Sequence, residues 1–147
     1  MRSSDGFTVE YESDRPWARV WHPQGFSDPG CEAFLTFWAW QDAPVRRLRR
    51  DANELAAAWN GLRTRDLEWT TATWADWHKW VATLTGAERT PRQVARHVDT
   101  LYRYYAFWHW YDPRRAPRQF WPSDPRERHR WLQQFWDAPI EVEAAVP

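Results

Sequence analysis

Thr90-Pro91-Arg92-Gln93-Val94-Ala95-Arg96-His97-Val98-Asp99-Thr100-Leu101-Tyr102-Arg103-Tyr104-Tyr105-Ala106-Phe107-Trp108-His109-Trp110-Tyr111 is the stretch that sets the fold class. Val94, Val98, Leu101, Tyr105 and Trp108 follow one another at intervals of 4, 3, 4 and 3. At about 100° per residue they fall within about 80° of arc, which is one face of an α-helix. Arg92, Arg96, Asp99 and Arg103 group within about 60° on the opposite side. His97, Tyr104, Phe107 and Tyr111 form an aromatic flank between the two. Thr90 is placed to cap the helix and Pro91 to open it, while Asp112-Pro113 stops it. The pattern predicts a helix over 90–111 that packs on one face and turns arginines outward.

Working back from it, Trp74, Trp77, Val81 and Leu84 make a second stripe, predicting a helix from about Thr71 to Leu84 with Thr70 or Thr71 as cap. Leu48, Ala52, Leu55 and Trp59 predict another from about Pro44 to Trp59, ended by Asn60-Gly61. A first helix starts at Ser27-Asp28-Pro29, carries Phe34, Phe37 and Trp38, and stops at Asp42-Ala43-Pro44. Before it, Phe7, Val9 and Tyr11 alternate with Thr8, Glu10 and Glu12, and Trp17 to Trp21 alternates less cleanly across Ser13-Asp14-Arg15-Pro16; this is a short hairpin or an extended arm. Forward of the long helix, Arg114 to Pro117 is a basic linker. Asp124-Pro125 opens a fifth helix with Trp131, Leu132, Phe135 and Trp136 on its apolar side, and 138–147 is a tail. The expected architecture is all-α: a compact bundle of about five helices with an N-terminal β-hairpin or arm. It divides into an arm at 1–26, a bundle at 27–117, and a C-terminal helix and tail at 118–147 packed on the bundle. The predicted core is Leu48, Leu55, Trp59, Trp74, Trp77, Val81, Leu84, Val94, Val98, Leu101, Tyr105 and Trp108.

The chain has 147 residues, enough for one domain with a modest core. Twenty acidic residues balance twenty basic ones, so no net charge calls for nucleic acid or a membrane surface. Lys79 is the lone lysine and the remaining basic residues are arginine, as a GC-rich genome or a phosphate-binding surface would each produce. Cys31 is the single cysteine, which excludes an internal disulfide and points to a reducing, cytoplasmic setting. No apolar leader follows Met1, and the aromatic run from Leu101 is far shorter than the ~20 residues of a membrane span. The fourteen tryptophans exceed what a small interior readily holds, so some are expected at the surface, where interfaces favour them.

The scattered glycines form no phosphate loop, and no His or Cys spacing suits a metal, so neither cofactor nor metal is expected. Cys31 reads as a packed thiol, and His109 with Asp112 reads as a helix terminus rather than a base and its orienter. No catalytic constellation emerges, and the chain is expected not to be an enzyme.

Arginines cluster at Arg46, Arg47, Arg49 and Arg50, along Arg92, Arg96 and Arg103, and at Arg114, Arg115 and Arg118. Such groups are either a solvated face, partly neutralised by Asp51, Glu54 and Asp99, or a phosphate-contacting surface. The stretch from Thr90 to Pro117 resembles the last long helix of the N-terminal core-binding (SAM-like) domain of tyrosine recombinases, the phage integrases. The matching residues are Val98, Leu101, Arg103, Tyr104, Tyr105 and Pro117. Glu32-Ala33-Phe34-Leu35 resembles the opening helix of that domain, and Leu67-Glu68-Trp69-Thr70 through Leu84 its middle helix. The resemblance spans about residues 31–117, and departs where Asp42-Ala43-Pro44 replaces a serine/threonine-rich helix start. It implies DNA clamping without cleavage, since no catalytic arginine, His-x-x-Arg and tyrosine set follows.

Two readings therefore stand. One is a non-catalytic protein gripping duplex DNA through Arg46, Arg50, Arg92, Arg96, Arg103 and Arg114, with mostly phosphate contacts. The other is a structural or adaptor subunit, or a homo-oligomer, docking on a protein partner through Trp17, Trp21, Trp40, Trp110, Trp121 and Trp136. No membrane partner is expected in either case.

Overall fold

A computed structural model describes residues 7–12, 17–25, 27–86, 89–115 and 122–137, with the side chains of 11, 12, 17 and 134–137 left aside. It is an all-α bundle of five helices behind a two-stranded antiparallel hairpin. The elements are β1 (Thr8–Glu12), β2 (Trp17–Trp21), α1 (Pro29–Trp40), α2 (Val45–Thr64), α3 (Trp74–Thr85), α4 (Pro91–Tyr111) and α5 (Pro125–Asp137), with a short 3₁₀ turn at Pro113–Arg115 between the last two. Among the described residues, no helix is long and apolar enough to cross a membrane.

The helix starts follow from their caps. Asp28 precedes Pro29 and accepts from the Cys31 N–H at 2.9 Å. Thr90 and Gln93 form a reciprocal capping box at the head of α4, as Thr73 and Asp76 do for α3. The α3 cap is thus Thr73 rather than Thr70 or Thr71. The reason lies in the preceding turn, where the Glu68 N–H donates to Thr71 Oγ1 and the Ala72 N–H to the Glu68 carbonyl.

The end of α2 departs further from the expectation. Asn60-Gly61 does not stop α2, which continues to Thr64. Gly61 sits where α3 presses closest: a Cβ there would lie 2.5 Å from Trp80 Cδ1 and Nε1. Its lack of a side chain serves packing, not termination. α1 stops at Asp42, as the sequence predicts, and α2 at Asp66, each an aspartate in the left-handed region, at φ 61° and φ 57°. In each, the next amide reaches back across the last turn, from Ala43 to the Trp38 carbonyl at 3.0 Å and from Leu67 to the Leu62 carbonyl at 2.8 Å. These are Schellman closures with aspartate in the place glycine usually takes.

The hairpin pairs Thr8 with Trp21 through Glu12 with Trp17 and packs on α1. The Ala18 N–H donates to Thr36 Oγ1 at 2.9 Å and the Val20 N–H to Glu32 Oε2 at 3.0 Å, so one helical face of α1 satisfies the outer amides of β2. Phe7 and Trp59 enclose the His22 ring, whose Nε2 meets buried Asp28 at 3.1 Å.

The core lies where α4 crosses α1, α2 and α3. Val94, Val98, Leu101, Tyr105 and Trp108 are buried, as are Leu48, Leu55, Trp77, Val81 and Leu84, while Trp59 and Trp74 are half-buried at its margin. Most of the aromatic flank of α4 is interior as well, Tyr111 excepted: His97 is buried, and Tyr104 and Phe107 pack edge-on against Phe34 of α1. Trp77 donates to the Tyr105 hydroxyl, which donates to the Trp69 carbonyl at 2.6 Å. The bundle thereby buries two polar aromatic tips without leaving them unbonded.

Candidate functional site

Helices α2 and α4 run antiparallel, with Asp51 opposite Arg103 and Glu54 opposite Thr100. Helical spacing places Arg46, Arg50 and Glu54 along one side of α2 and Arg96, Thr100 and Arg103 along the facing side of α4, while Arg92 lines a separate recess with Ala95 and with His129, Leu132 and Gln133 of α5. Between α2 and α4 runs a groove made of two joined recesses. One, of ≈ 330 Å³, is lined by Arg50, Glu54, Arg89, Gln93, Arg96 and His97 among others. The next, of ≈ 280 Å³, shares Arg50, Glu54 and Arg96 and adds Arg47, Asp51, Asp99 and Arg103.

The charges are layered. Asp51 is fully buried at the floor and Glu54 is 10 % exposed, whereas the Arg96 side chain is 49 % exposed. Arg46, Arg50, Arg89 and Arg92 are also exposed. Burial raises the Glu54 pKa and the neighbouring Asp51 adds to it, against the hydrogen bond from Thr100 and the pull of Arg96 and Arg50. His97 is pushed down to about 4, first by burial and then by Arg89 and Arg96. Its Nε2 lies 3.3 Å from an Arg89 guanidinium nitrogen, which can only donate, so Nε2 accepts and the imidazole is neutral.

Arg103 is not on the outward face with Arg92. It donates to both oxygens of Asp51, at 3.0 and 2.7 Å, and lies over the Phe34 and Trp38 rings. The reason is that α2 occupies the side of α4 that the helical wheel assigns to solvent. Asp99 likewise pairs with neither Arg96 nor Arg103; it holds Arg128 and His129 of α5, each at 3.0 Å. Arg114 is 90 % exposed beyond the end of α4 and pairs with Asp112 at 3.1 Å. Arg47 and Arg89 line the groove although the sequence reading did not select them. Arg47 shares the cluster of Arg46 and Arg50 and covers the Trp38 ring at 4.8 Å. Arg89 stands one residue before the α4 cap, and helical periodicity does not reach it.

The tryptophan candidates separate. Trp40 and Trp110 are each 69 % exposed, and Trp110 lies beside exposed Tyr111. Phe37 packs on Trp110 at 5.7 Å, so the C-terminal ends of α1 and α4 carry an aromatic surface. Trp21 is half-buried and donates its indole N–H to Glu10 at 2.8 Å. Trp121, Arg118 and Pro117 lie outside the described residues, as do the side chains of Trp17 and Trp136. Among the described residues no group of three or more His, Cys, Asp or Glu could hold a metal ion. Cys31 is fully buried, and burial followed by Asp28 raises its pKa well above the usual thiol range, so it stays a thiol. No known family model, curated protein or solved structure matches the chain.

Proposed function

We propose that this chain binds duplex DNA through the arginine rim of the α2–α4 groove and performs no chemistry on it. The observation that carries the reading is the layering of charge. Asp51 and Glu54 are withdrawn to the floor, while Arg47, Arg50, Arg89 and Arg96 line the groove above them. Guanidinium groups on two antiparallel helices are suited to straddle a phosphate backbone with paired donors. The resemblance of 31–117 to a core-binding domain supports the same reading. Arg103 supports the fold, and Arg89 takes its place at the rim.

Fluorescence anisotropy of a labelled duplex against salt tests it. The logarithm of affinity should fall with the logarithm of salt by about 0.9 per phosphate neutralised, and Arg50→Ala with Arg96→Ala together should flatten that slope by about two. Absence of binding at low salt, or a slope indifferent to both changes, would overturn the reading.

The aromatic surface of Trp110 and Tyr111 favours a second reading, an adaptor that docks on a protein partner or on another copy. Light scattering after size exclusion tests the second copy. A clean monomer at high concentration counts against self-association.

A further inference from the structure

We propose that the recess bounded by Arg50, Arg89 and Arg96 is a seat for one dianionic phosphoryl group, holding a terminal phosphate monoester more tightly than the backbone diesters that the same arginines meet in the duplex reading. The inference stands on the recess alone and goes beyond duplex binding. Three guanidinium groups line it from three elements: Arg50 from α2, Arg89 from the segment before α4, and Arg96 from α4. Among the described residues, neither Arg50 nor Arg89 has a carboxylate within ion-pair distance, and Arg96 meets Glu54 only at 3.8 Å. Apart from the Arg89 nitrogen that donates to His97, their donors are therefore open, and guanidinium forks match phosphate oxygens in pairs.

Charge decides the class. Three cations against the single carboxylate of Glu54 leave about two positive charges, and a phosphomonoester carries about −1.5 to −2 at neutral pH. A diester, with one negative charge, would leave half of that uncompensated. Glu54 is 10 % exposed and its Oε1 accepts from Thr100, so it lies below the recess rather than at its mouth. Gln93 adds a neutral donor: its Oε1 accepts from the Thr90 N–H at 2.9 Å, which leaves its NH₂ group for a ligand. The groups around His97 are Arg89 and Arg96, Arg50 and Glu54 across the recess on α2, and the Trp80 ring of α3 at 6.0 Å. The imidazole is neutral and adds no charge to the seat, but it reports on it, because it holds Arg89 by hydrogen bond.

The test uses the full chain at pH 7.5 with methyl phosphate and dimethyl phosphate as probes, followed by NMR of the His97 ring and by calorimetry. Methyl phosphate should bind saturably, at least tenfold more tightly than dimethyl phosphate, and move the His97 signals. Arg89→Ala and Arg96→Ala should each weaken it about tenfold, a loss of one charge-assisted hydrogen bond. Lys79→Ala, on exposed α3 surface, should change nothing. Equal binding of both probes, no saturable binding, or indifference to both arginine changes would overturn the proposal. Duplexes ending in 5′-phosphate and 5′-hydroxyl then separate the sources. A tenfold preference for the phosphorylated end assigns the ligand to a strand terminus. Equal duplex binding beside tight methyl phosphate binding assigns it to a free monoester. Failure of duplex binding with the methyl phosphate results intact would remove the DNA reading and leave the seat.

Discussion

Arg103 of α4 donates to both carboxylate oxygens of Asp51, at 2.7 and 3.0 Å, and Asp51 is only 1 % exposed. This pair ties the two helices that form the groove. An isolated charge at that depth has no water to fall back on, so removing one partner harms the fold more than the intact pair helps it. Arg103→Ala should lower stability by about 3–5 kcal/mol in urea unfolding. Asp51→Asn in the same background should recover part of the loss. Equal stability of Arg103→Ala and wild type would show that the pair does not hold the helices.

Gly61 offers a test in which propensity and packing pull in opposite directions. Alanine inside a helix is ordinarily better than glycine by about 1 kcal/mol. Here the added methyl would meet the Trp80 ring at 2.5 Å. Overpacking of this kind costs about 1–3 kcal/mol, so Gly61→Ala should destabilise, with the tryptophan emission of the protein shifting as Trp80 moves.

At Asp42 and Asp66 the opposite change should help. Both occupy the left-handed region, which costs an L-residue up to about 1–2 kcal/mol and glycine almost nothing. Asp42→Gly and Asp66→Gly should each raise stability by about 0.5–1 kcal/mol, and the two should add because they cap different helices. Thermal unfolding measures both.

Acid should act through His97. Its folded pKa of about 4 lies below the ordinary 6.5, so the folded protein favours the neutral ring. That contribution is intact above pH 6.5 and is lost as pH falls toward and through 4, by up to about 3 kcal/mol. His97→Phe should flatten the decline between pH 6.5 and 4 relative to wild type in urea titrations at fixed pH. A parallel decline in both proteins would assign the acid sensitivity to other groups.

The helices were legible because their caps and stripes are local. Thr90-Pro91 and the 4, 3, 4, 3 spacing of α4 need no knowledge of the partner helices, and the α4 stripe is buried throughout. The end of α2 was not legible, because Gly61 answers to Trp80, nineteen residues away and on another helix. The groove lies between. Its arginines are visible as clusters, yet a helical wheel treats every residue off the apolar stripe as solvent-facing. A helix in a bundle has more than one neighbour, so Arg103 and Asp99 meet α2 and α5 instead. Arg89 belongs to no helix and could be found only from its closeness to His97.

Edge strands leave open amides that can recruit extended segments from other molecules, and sheets grow between chains in that way. On the α1 side of β2 that route is closed, since Thr36 and Glu32 occupy the Ala18 and Val20 donors. That edge of the aromatic-rich hairpin is thereby denied the templating that would otherwise extend the sheet into another chain. The protection is lost whenever α1 unravels. The shielding of the β2 edge thus depends on a helix that carries none of the candidate DNA-binding arginines.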